Sequence, residues 1–325
     1  MISRRLLRIK ILQVLFAYFR NESNSLNNVE KELFLSIEKS YQLYHLLLIL
    51  PEALSNTAHS KIELAKQKLR PSKEDLNPNT RFVDNKVIKQ IDENEDISLY
   101  VAQNRLNWKH HPELVKILFK QLTNSNYYKE YMTAPENSYN DDKQVIISFL
   151  QHELETSDEF SNFLEELSIY WNDDLEFVLS MAAKTIKKAD EETGIKVMPM
   201  FRNEDDVDFS KRLLRKAVLK HGEYVTLVEK FTKNWDVDRI AAMDILIMEM
   251  AISEIVEFPT IPVKVTLNEY IEIAKFYSTD QSSTFINGVL DKLIAYMREN
   301  NLFMKQGRGL IGDNEQLIDI NSDED

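Results

Sequence analysis

Cysteine is absent from this sequence, and glycine and proline are scarce. The 325 residues contain no Cys, 6 Gly and 8 Pro. Without Cys the chain forms no disulfide, uses no thiolate nucleophile and offers no Cys-ligated zinc site, a composition typical of a reducing compartment. We therefore expect a cytoplasmic protein. Few Gly and Pro residues mean few turns, which favours long helices joined by short connections.

Long apolar runs and glycine-rich loops are also missing. The nearest apolar run, residues 46–50, is far shorter than the roughly 18 residues that cross a membrane, and the N-terminal segment lacks the apolar core of a signal peptide. No P-loop or dinucleotide-binding pattern occurs. His110 and His111 are adjacent, but no His or carboxylate follows at the spacing of a helical zinc motif. The residues give no support for an enzyme, a cofactor or a metal site.

The chain is acidic overall, whereas its first helix is basic. The net charge of −13 argues against nonspecific coating of nucleic acid, so any binding must be local. Residues 1–20 contain five basic side chains and no acidic one. In a helix Arg4, Arg8 and Arg5 fall at about 0°, 40° and 100°, on one side of the first two turns. Two interpretations stay open: a solvated helix start neutralised by acidic neighbours, or a phosphate-binding cluster.

Apolar residues recur at spacings of three and four along most of the chain, which predicts an all-α protein. Asp141, with Gln144 three residues later, resembles a capping box. Residues 191–208 are acidic and contain Gly and Pro, as linkers do, and an acidic disordered tail is expected at 303–325. The predicted helices cover residues 1–20, 29–54, 55–70, 84–90, 97–107, 112–123, 142–155, 158–170, 173–190, 209–221, 223–233, 237–257 and 262–275, and a last one begins near residue 284.

The stretch of residues 259–291 combines clear helical periodicity with polar residues in apolar surroundings. Pro262 suits the first turn of a helix, and the turn formers at 278–283 end that helix before the next begins. In this last helix Gly288 costs about 1 kcal/mol relative to Ala, which indicates the close approach of another backbone or a ligand. For Asn287 the residues favour a hydrogen bond to a neighbouring helix over ligand contact.

This stretch and the helix before it resemble the C-terminal half of the NusB family of transcription antitermination proteins. The family pattern has a Trp, an Arg, an apolar helix ending in Glu-Leu, an Asn-Glu helix with Ala-Lys, and a Phe-Val-Asn-Gly-Val-Leu-Asp helix. The start of the chain is similar to the family at Arg4, Arg5, Arg8, Gln13, Leu15 and Phe16. The C-terminal residues that match in order and spacing are Trp235, Arg239, Glu254, Pro262, Asn268, Glu269, Ala274, Lys275, Phe285, Asn287, Gly288, Leu290 and Asp291.

The resemblance implies a compact NusB-like helical bundle with an additional helical region. The expected domains are the N-terminal helices of the NusB-like fold at residues 1–50, an extra helical region without an assigned role at 51–208, and a C-terminal NusB-like core at 209–302. The acidic tail follows.

The resemblance also implies a noncatalytic RNA-binding factor in transcription antitermination of ribosomal RNA operons. Family members bind single-stranded boxA RNA together with a ribosomal protein called NusE. The expected partners are therefore boxA-like RNA, NusE and the transcription elongation complex, with no membrane. Phe285 would stack on or pack against a base. The RNA-binding residues implied by position are Arg4, Arg5, Arg8, Gln281, Ser283, Thr284 and Phe285.

Two departures from the family pattern remove positive charge. Thr284 precedes the motif Phe where a basic residue is common, and Glu249 stands at a common Arg position. Together with the acidity and the extra region, they favour an alternative hypothesis: a helical protein-interaction scaffold that has lost specific RNA binding. A third hypothesis, RNA methylation, follows from related helical modules that precede methyltransferase domains, but this sequence contains no Gly-rich cofactor domain.

Overall fold

A computed structural model describes residues 2–20, 25–232, 241–279 and 281–311. Over these ranges the chain is helical and contains no strand, which confirms the all-α class. None of the described helices combines the length and the apolarity that a membrane crossing requires. The α-helices, in chain order, are α1 Arg4–Phe19, α2 Leu26–Leu48, α3 Leu50–Lys66, α4 Lys73–Leu76, α5 Lys86–Asp92, α6 Glu95–Asn104, α7 Pro112–Asn124, α8 Asn126–Thr133, α9 Tyr139–Ser148, α10 Asp158–Leu167, α11 Leu175–Lys187, α12 Glu204–Thr232, α13 Ala242–Glu257, α14 Val263–Tyr277 and α15 Ser282–Glu299.

The described chain forms two compact units. The middle unit contains Ser36–Met200, and the terminal unit contains Ile2–Leu35 together with the residues from 201 onward. The divisions fall within α2 and just before α12, whereas the sequence expectation placed them after residues 50 and 208.

The middle unit has an apolar core of its own, which includes two tryptophans. Trp108 and Trp171 are buried. The Trp108 indole N–H donates to the carbonyl of Leu46 at 2.9 Å, and that of Trp171 donates to the carbonyl of Lys39 at 2.8 Å. Each indole therefore has a hydrogen-bond partner inside the protein, as buried Trp usually has.

The terminal unit is a helical bundle built around α13. This helix is apolar nearly all round, as expected of a helix inside a bundle; it packs against α12, α14, α1 and α15, and α1 also packs against α12. Three carboxylates are nevertheless buried on α13: Asp244, Glu249 and Glu254. Because a buried charge is costly unless it is paired or neutralised, the partners of these carboxylates determine how the bundle is held together.

One predicted helix break is wrong. The sequence predicted separate helices at 209–221 and 223–233, but α12 runs without a break as Glu204–Thr232. Gly222 lies exposed in its interior. The apolar face continues in phase across this glycine, from Leu213 and Ala217 to Tyr224 and Val228, all buried. Packing of that face outweighs the propensity cost of one glycine, which is about 1 kcal/mol.

Two predicted helix ends also differ from the structure. Pro51, expected to kink or shorten the end of a helix at 29–54, instead lies in the first turn of α3, where its missing N–H has no cost. The capping box forms one turn earlier than predicted, between Ser138 and Asp141, with the Ser138 hydroxyl accepting from the Asp141 N–H at 3.2 Å. Helix α8 was not predicted.

Candidate nucleic-acid interface

Arg8 lies inside the bundle, although the family resemblance implied that it contacts RNA. Its exposure is 3%. The guanidinium Nε and Nη2 donate to the two carboxylate oxygens of Glu254 at 2.6 and 2.7 Å. Burial opposes the charge on Arg8, but the hydrogen bonds and the charge of Glu254 more than offset this effect, so the pKa of Arg8 is raised. The structure thus gives Arg8 a buried partner; an RNA contact by Arg8 stays a prediction.

Glu254 joins α13 to both α1 and α14. It is fully buried. Besides Arg8, the Thr266 hydroxyl donates to its Oε1 at 2.8 Å and the Tyr270 hydroxyl donates to its Oε2 at 3.2 Å. Burial, followed by the charge of Glu254, raises the pKa of Tyr270 well above its ordinary value, so this hydroxyl keeps its proton. Four donated hydrogen bonds therefore satisfy a carboxylate that would otherwise destabilise the core.

Arg4 and Arg5 also have acidic partners, but closer to solvent. Arg5 donates through Nε and Nη2 to Glu269 at 3.0 and 2.9 Å, and Arg4 Nε donates to Asp206 at 3.0 Å. The arginine side chains are 49% and 41% exposed. Of the two interpretations left open by the sequence, neutralisation by acidic neighbours matches these contacts. Exposed ion pairs contribute only about 0.2–1 kcal/mol, so an incoming phosphate could replace either carboxylate.

The connection between α14 and α15 together with the first turn of α15, here called the hinge (residues 278–285), is anchored to α13 by Asp244. This carboxylate is 5% exposed. The Ser278 hydroxyl donates to Oδ1, and the Ser282 hydroxyl donates to Oδ2 at 3.0 Å. The Thr279 N–H donates to the Ser282 hydroxyl at 3.2 Å. A buried acidic residue about 35 positions earlier thereby fixes the path of the hinge; Asp280 lies outside the described residues.

The hinge residues that the resemblance assigns to RNA differ in exposure. Gln281 and Thr284 are exposed, whereas Ser283 and Phe285 are half-buried. Phe285 belongs to the first turn of α15, so part of its ring is at the surface while the helix fixes its position. Polar side chains and an aromatic edge therefore lie along one short connection, and their RNA contacts stay predictions.

Three other motif residues of α14 are ordinary surface side chains or ion-pair partners. Asn268 is exposed. Lys275 donates to Glu272 at 2.5 Å, and Glu269 pairs with Arg5 as described above. The ion pair with Arg5 gives Glu269 a structural role in the motif, because it joins α14 to α1.

The motif residues of α15 differ from expectation. Asn287 donates to Asp291 in its own helix, at 3.4 Å, rather than to a neighbouring helix. Gly288 is exposed, and no described atom lies within 4 Å of the Cβ that an alanine would add; the close approach predicted there is not made by the described chain. Trp235 and Arg239 lie outside the described residues.

Sequence reasoning missed the surroundings of Glu249, which it treated only as the loss of a positive charge. Glu249 is fully buried, and its Oε2 lies 2.9 Å from Nδ1 of His221. Burial raises the pKa of Glu249 to about 8 and lowers the pKa of His221. Both directions favour the uncharged forms of the two groups, a carboxylic acid and a neutral imidazole. The His221 ring also stacks on Phe19 of α1, with ring centroids 3.8 Å apart.

The terminal unit is thus an all-helical bundle in which buried carboxylates of one central helix hold the first helix and the hinge. Residues 175–295 match the NusB family model. The C-terminal part of this chain is therefore similar to NusB-family proteins, and the predicted resemblance is confirmed there. No solved structure matches the chain.

Curated relatives agree with the family match. Each of three is named transcription antitermination protein NusB: that of Salinibacter ruber is 41% identical over 103 residues, that of Chloroherpeton thalassium 43% over 86, and that of Natranaerobius thermophilus 48% over 66. The matches cover 32%, 26% and 20% of this chain and 64%, 41% and 48% of the relatives. The matched part of the chain therefore spans less than two thirds of these relatives.

Proposed function

We propose that this chain is an RNA-binding transcription antitermination factor that acts on ribosomal RNA operons. It binds boxA-like RNA together with the ribosomal protein NusE, works with the transcription elongation complex in the cytoplasm, and catalyses no reaction. Support comes from the NusB-like region at residues 175–295, which contains α13, α14, the hinge and the first turns of α15, and from relatives named for antitermination.

The observation that carries this proposal is the anchored hinge. Single-stranded RNA is recognised through unstacked bases, which lie against aromatic rings and are read by polar groups at their edges. A half-buried Phe285 in the first turn of α15 offers such a ring, and the exposed Gln281 and Thr284 offer polar groups beside it. Asp244 fixes this arrangement before any ligand binds, so little conformational entropy would be lost on binding.

The electrostatics favour modest affinity and a role for the partner protein. Arg4 and Arg5 are exposed but already paired with carboxylates, so a phosphate must compete for them. Each phosphate contact with a single strand contributes about 0.7 to the slope of log K against log salt. With few contacts in a chain of net charge −13, NusE is expected to supply part of the affinity.

The direct test is an RNA mobility shift with full-length protein. A boxA-like RNA and a scrambled RNA of the same composition are compared with and without NusE. The proposal expects a preference for boxA that NusE increases. Equal binding of both RNAs under both conditions would refute it.

Charge reversal supplies a residue-level version of the same test. Arg5→Glu should weaken boxA binding and lower the salt slope by about 0.7. Arg215→Glu is a matched control, because Arg215 is 50% exposed and pairs with Glu30 at 2.6 Å, much as Arg5 pairs with Glu269. Equal effects of both variants would show that net charge alone, and not the α1 tip, governs binding.

The alternative function is a protein-interaction scaffold without specific RNA binding. It is favoured by the acidic partners of Arg4, Arg5 and Arg8, which leave none of these three guanidinium groups without a carboxylate. It predicts that NusE binds the chain while boxA and scrambled RNA remain indistinguishable, in the same mobility-shift experiment.

A further inference from the structure

The middle unit contains a cavity that the proposed function does not use. Its volume is about 740 Å³, and it lies between α3, α5, α6 and the start of α7. The residues around it fall within 49–116, outside the segment that matches the NusB family. A volume of this size with a largely apolar wall is typical of small-molecule sites. The main apolar side chains of the wall are Ile49, Ile91, Ile97, Val101, Leu106 and Trp108.

Two carboxylates line this cavity without a cationic partner. Glu52, in the first turn of α3, is half-buried, and its Oε1 accepts from the Asn56 amide at 3.4 Å. Burial, followed by the charge of Asp92 at the end of α5, raises the pKa of Glu52. Neither carboxylate forms an ion pair with a described residue. The two negative charges therefore repel each other at the cavity wall.

Three donors of the wall are already used inside the protein. The Thr57 hydroxyl donates to the carbonyl of Ala53 at 2.9 Å, and the Ser60 hydroxyl donates to the carbonyl of Asn56 at 2.8 Å. The indole N–H of Trp108 donates to the carbonyl of Leu46, as described above. These groups have no proton left to offer a ligand.

One acceptor of the wall, in contrast, is left over. The Asn107 Nδ2 donates to the carbonyl of Arg105 at 3.4 Å, which assigns the other amide atom as the acceptor. This Oδ1 atom is buried and has no hydrogen-bond partner among the described residues. Since buried polar atoms normally have a partner, Asn107 and Glu52 together favour a ligand that donates hydrogen bonds.

The basic side chains of the wall do not supply the missing charge at Glu52. Lys116 pairs with Glu113 at 2.8 Å. Lys109 and His110 are exposed. The charge of Lys109 lowers the pKa of Glu52, but by less than burial and Asp92 raise it. A further positive charge beside Glu52 is therefore favourable.

We propose that this cavity binds a small amphipathic amine, whose apolar body lies against Trp108 and the aliphatic wall and whose ammonium group donates to Glu52. Asp92 adds electrostatic attraction, and Asn107 Oδ1 offers a second acceptor. Charge complementarity identifies the ligand class, because a neutral molecule would leave the carboxylates unpaired and an anion would be repelled. The inference does not rest on the proposed function; it gives a ligand site to the region that the family resemblance leaves without a role.

The test uses tryptamine, an indole ring with an ammonium group, as the ligand of the full-length protein. Tryptophol has a hydroxyl group in place of the ammonium, and indole-3-propionate has a carboxylate. Dissociation constants are measured by saturation-transfer difference NMR. We expect tryptamine to bind about ten-fold more tightly than tryptophol, because a hydrogen bond between charged groups contributes more than a neutral one. Indole-3-propionate should bind most weakly.

Charge-removing variants test the two carboxylates. Glu52→Gln should weaken tryptamine binding about ten-fold and leave tryptophol binding unchanged. Asp92→Asn should weaken tryptamine binding less, because Asp92 is exposed and its charge is screened. Glu63→Gln is the matched control: Glu63 is also half-buried on α3, but it pairs with Lys66 at 2.8 Å and does not line the cavity. It should keep wild-type affinity.

A bulky side chain tests the location of the site. Ser98 of α6 is exposed and lines the cavity. Ser98→Trp should weaken the binding of tryptamine and tryptophol alike, because the new ring occupies space that the ligand needs. Leu99→Trp adds the same ring at the next exposed position, outside the cavity, and should change neither affinity.

Several results would overturn the inference. They are the absence of tryptamine binding, equal affinity for tryptamine and tryptophol, and equal losses in Glu52→Gln and Glu63→Gln, which would show that net charge alone governs binding. Equal effects of Ser98→Trp and Leu99→Trp would place the ligand elsewhere and overturn it too. None of these measurements involves RNA, so this inference and the proposed function can fail separately.

Discussion

Replacing Arg8 by methionine should strongly destabilise the chain. The substitution removes two of the four hydrogen bonds to Glu254, a carboxylate with 0% exposure, and keeps an apolar side chain of similar length. Thr266 and Tyr270 then remain as its neutral donors. Removing one partner of a buried ion pair typically costs about 3–5 kcal/mol, a large part of the roughly 5–15 kcal/mol that stabilises a domain. Urea denaturation followed by far-ultraviolet circular dichroism measures the loss.

Two further variants test whether burial causes the effect. Arg5→Met breaks the exposed pair with Glu269 and should cost no more than about 1 kcal/mol. Arg8→Met combined with Glu254→Met removes both charges, so the double variant should be more stable than Arg8→Met alone. If Arg8→Met costs no more than Arg5→Met, the buried pair does not hold α1 as described.

The other predictions concern pH, helix propensity and the hinge. The pKa of Glu249 is about 8 in the folded chain and ordinarily 4.5. Between these pH values the folded chain keeps a proton that the unfolded chain releases. The free energy of unfolding should therefore fall as pH rises from about 4.5 to 8. Glu249→Gln should flatten that fall in urea titrations at several pH values, and an unchanged slope would contradict the assignment. The lowered pKa of His221 acts oppositely, reducing stability as pH falls below about 6.5. Gly288→Ala and its control Gly222→Ala should each raise the free energy of unfolding by about 1 kcal/mol, since neither new Cβ meets a described atom within 4 Å. If the surface around Gly288 contacts RNA, Gly288→Ala should weaken boxA binding in a mobility shift and Gly222→Ala should not. Asp244→Asn should cost about 1–3 kcal/mol by weakening the bonds from the two hinge serines and should reduce RNA affinity; full affinity would show that the hinge needs no anchor.

Local patterns predicted the helices better than their ends. The 3.6-residue period identified α13, α14 and α15 because their apolar faces are set by residues three and four apart. It could not decide whether Gly222 ends a helix, because the answer depends on packing along the whole of α12. The sequence predicted Pro51 near the end of one helix, whereas it begins the next, for a similar reason. A proline can end a helix or occupy its first turn, and which of the two occurs depends on how the chain folds around it.

The residues of the candidate interface could be named from sequence, but their partners could not. Arg8 and Glu254 are 246 residues apart, and Arg4 and Asp206 are 202 apart, so no local spacing reveals that the basic cluster is paired. From the sequence, Glu249 was only the loss of a positive charge, although its position within an almost entirely apolar run is a sequence signal of its burial.

The most direct test of the central claim, that this chain binds boxA-like RNA at the hinge and along α1, is photo-crosslinking. A boxA-like RNA containing 4-thiouridine is irradiated with full-length protein and NusE, and the crosslinked residues are mapped by mass spectrometry. We expect crosslinks within residues 278–285 and in α1, with few from scrambled RNA. Crosslinks confined to the middle unit, or equal yields from both RNAs, would contradict it.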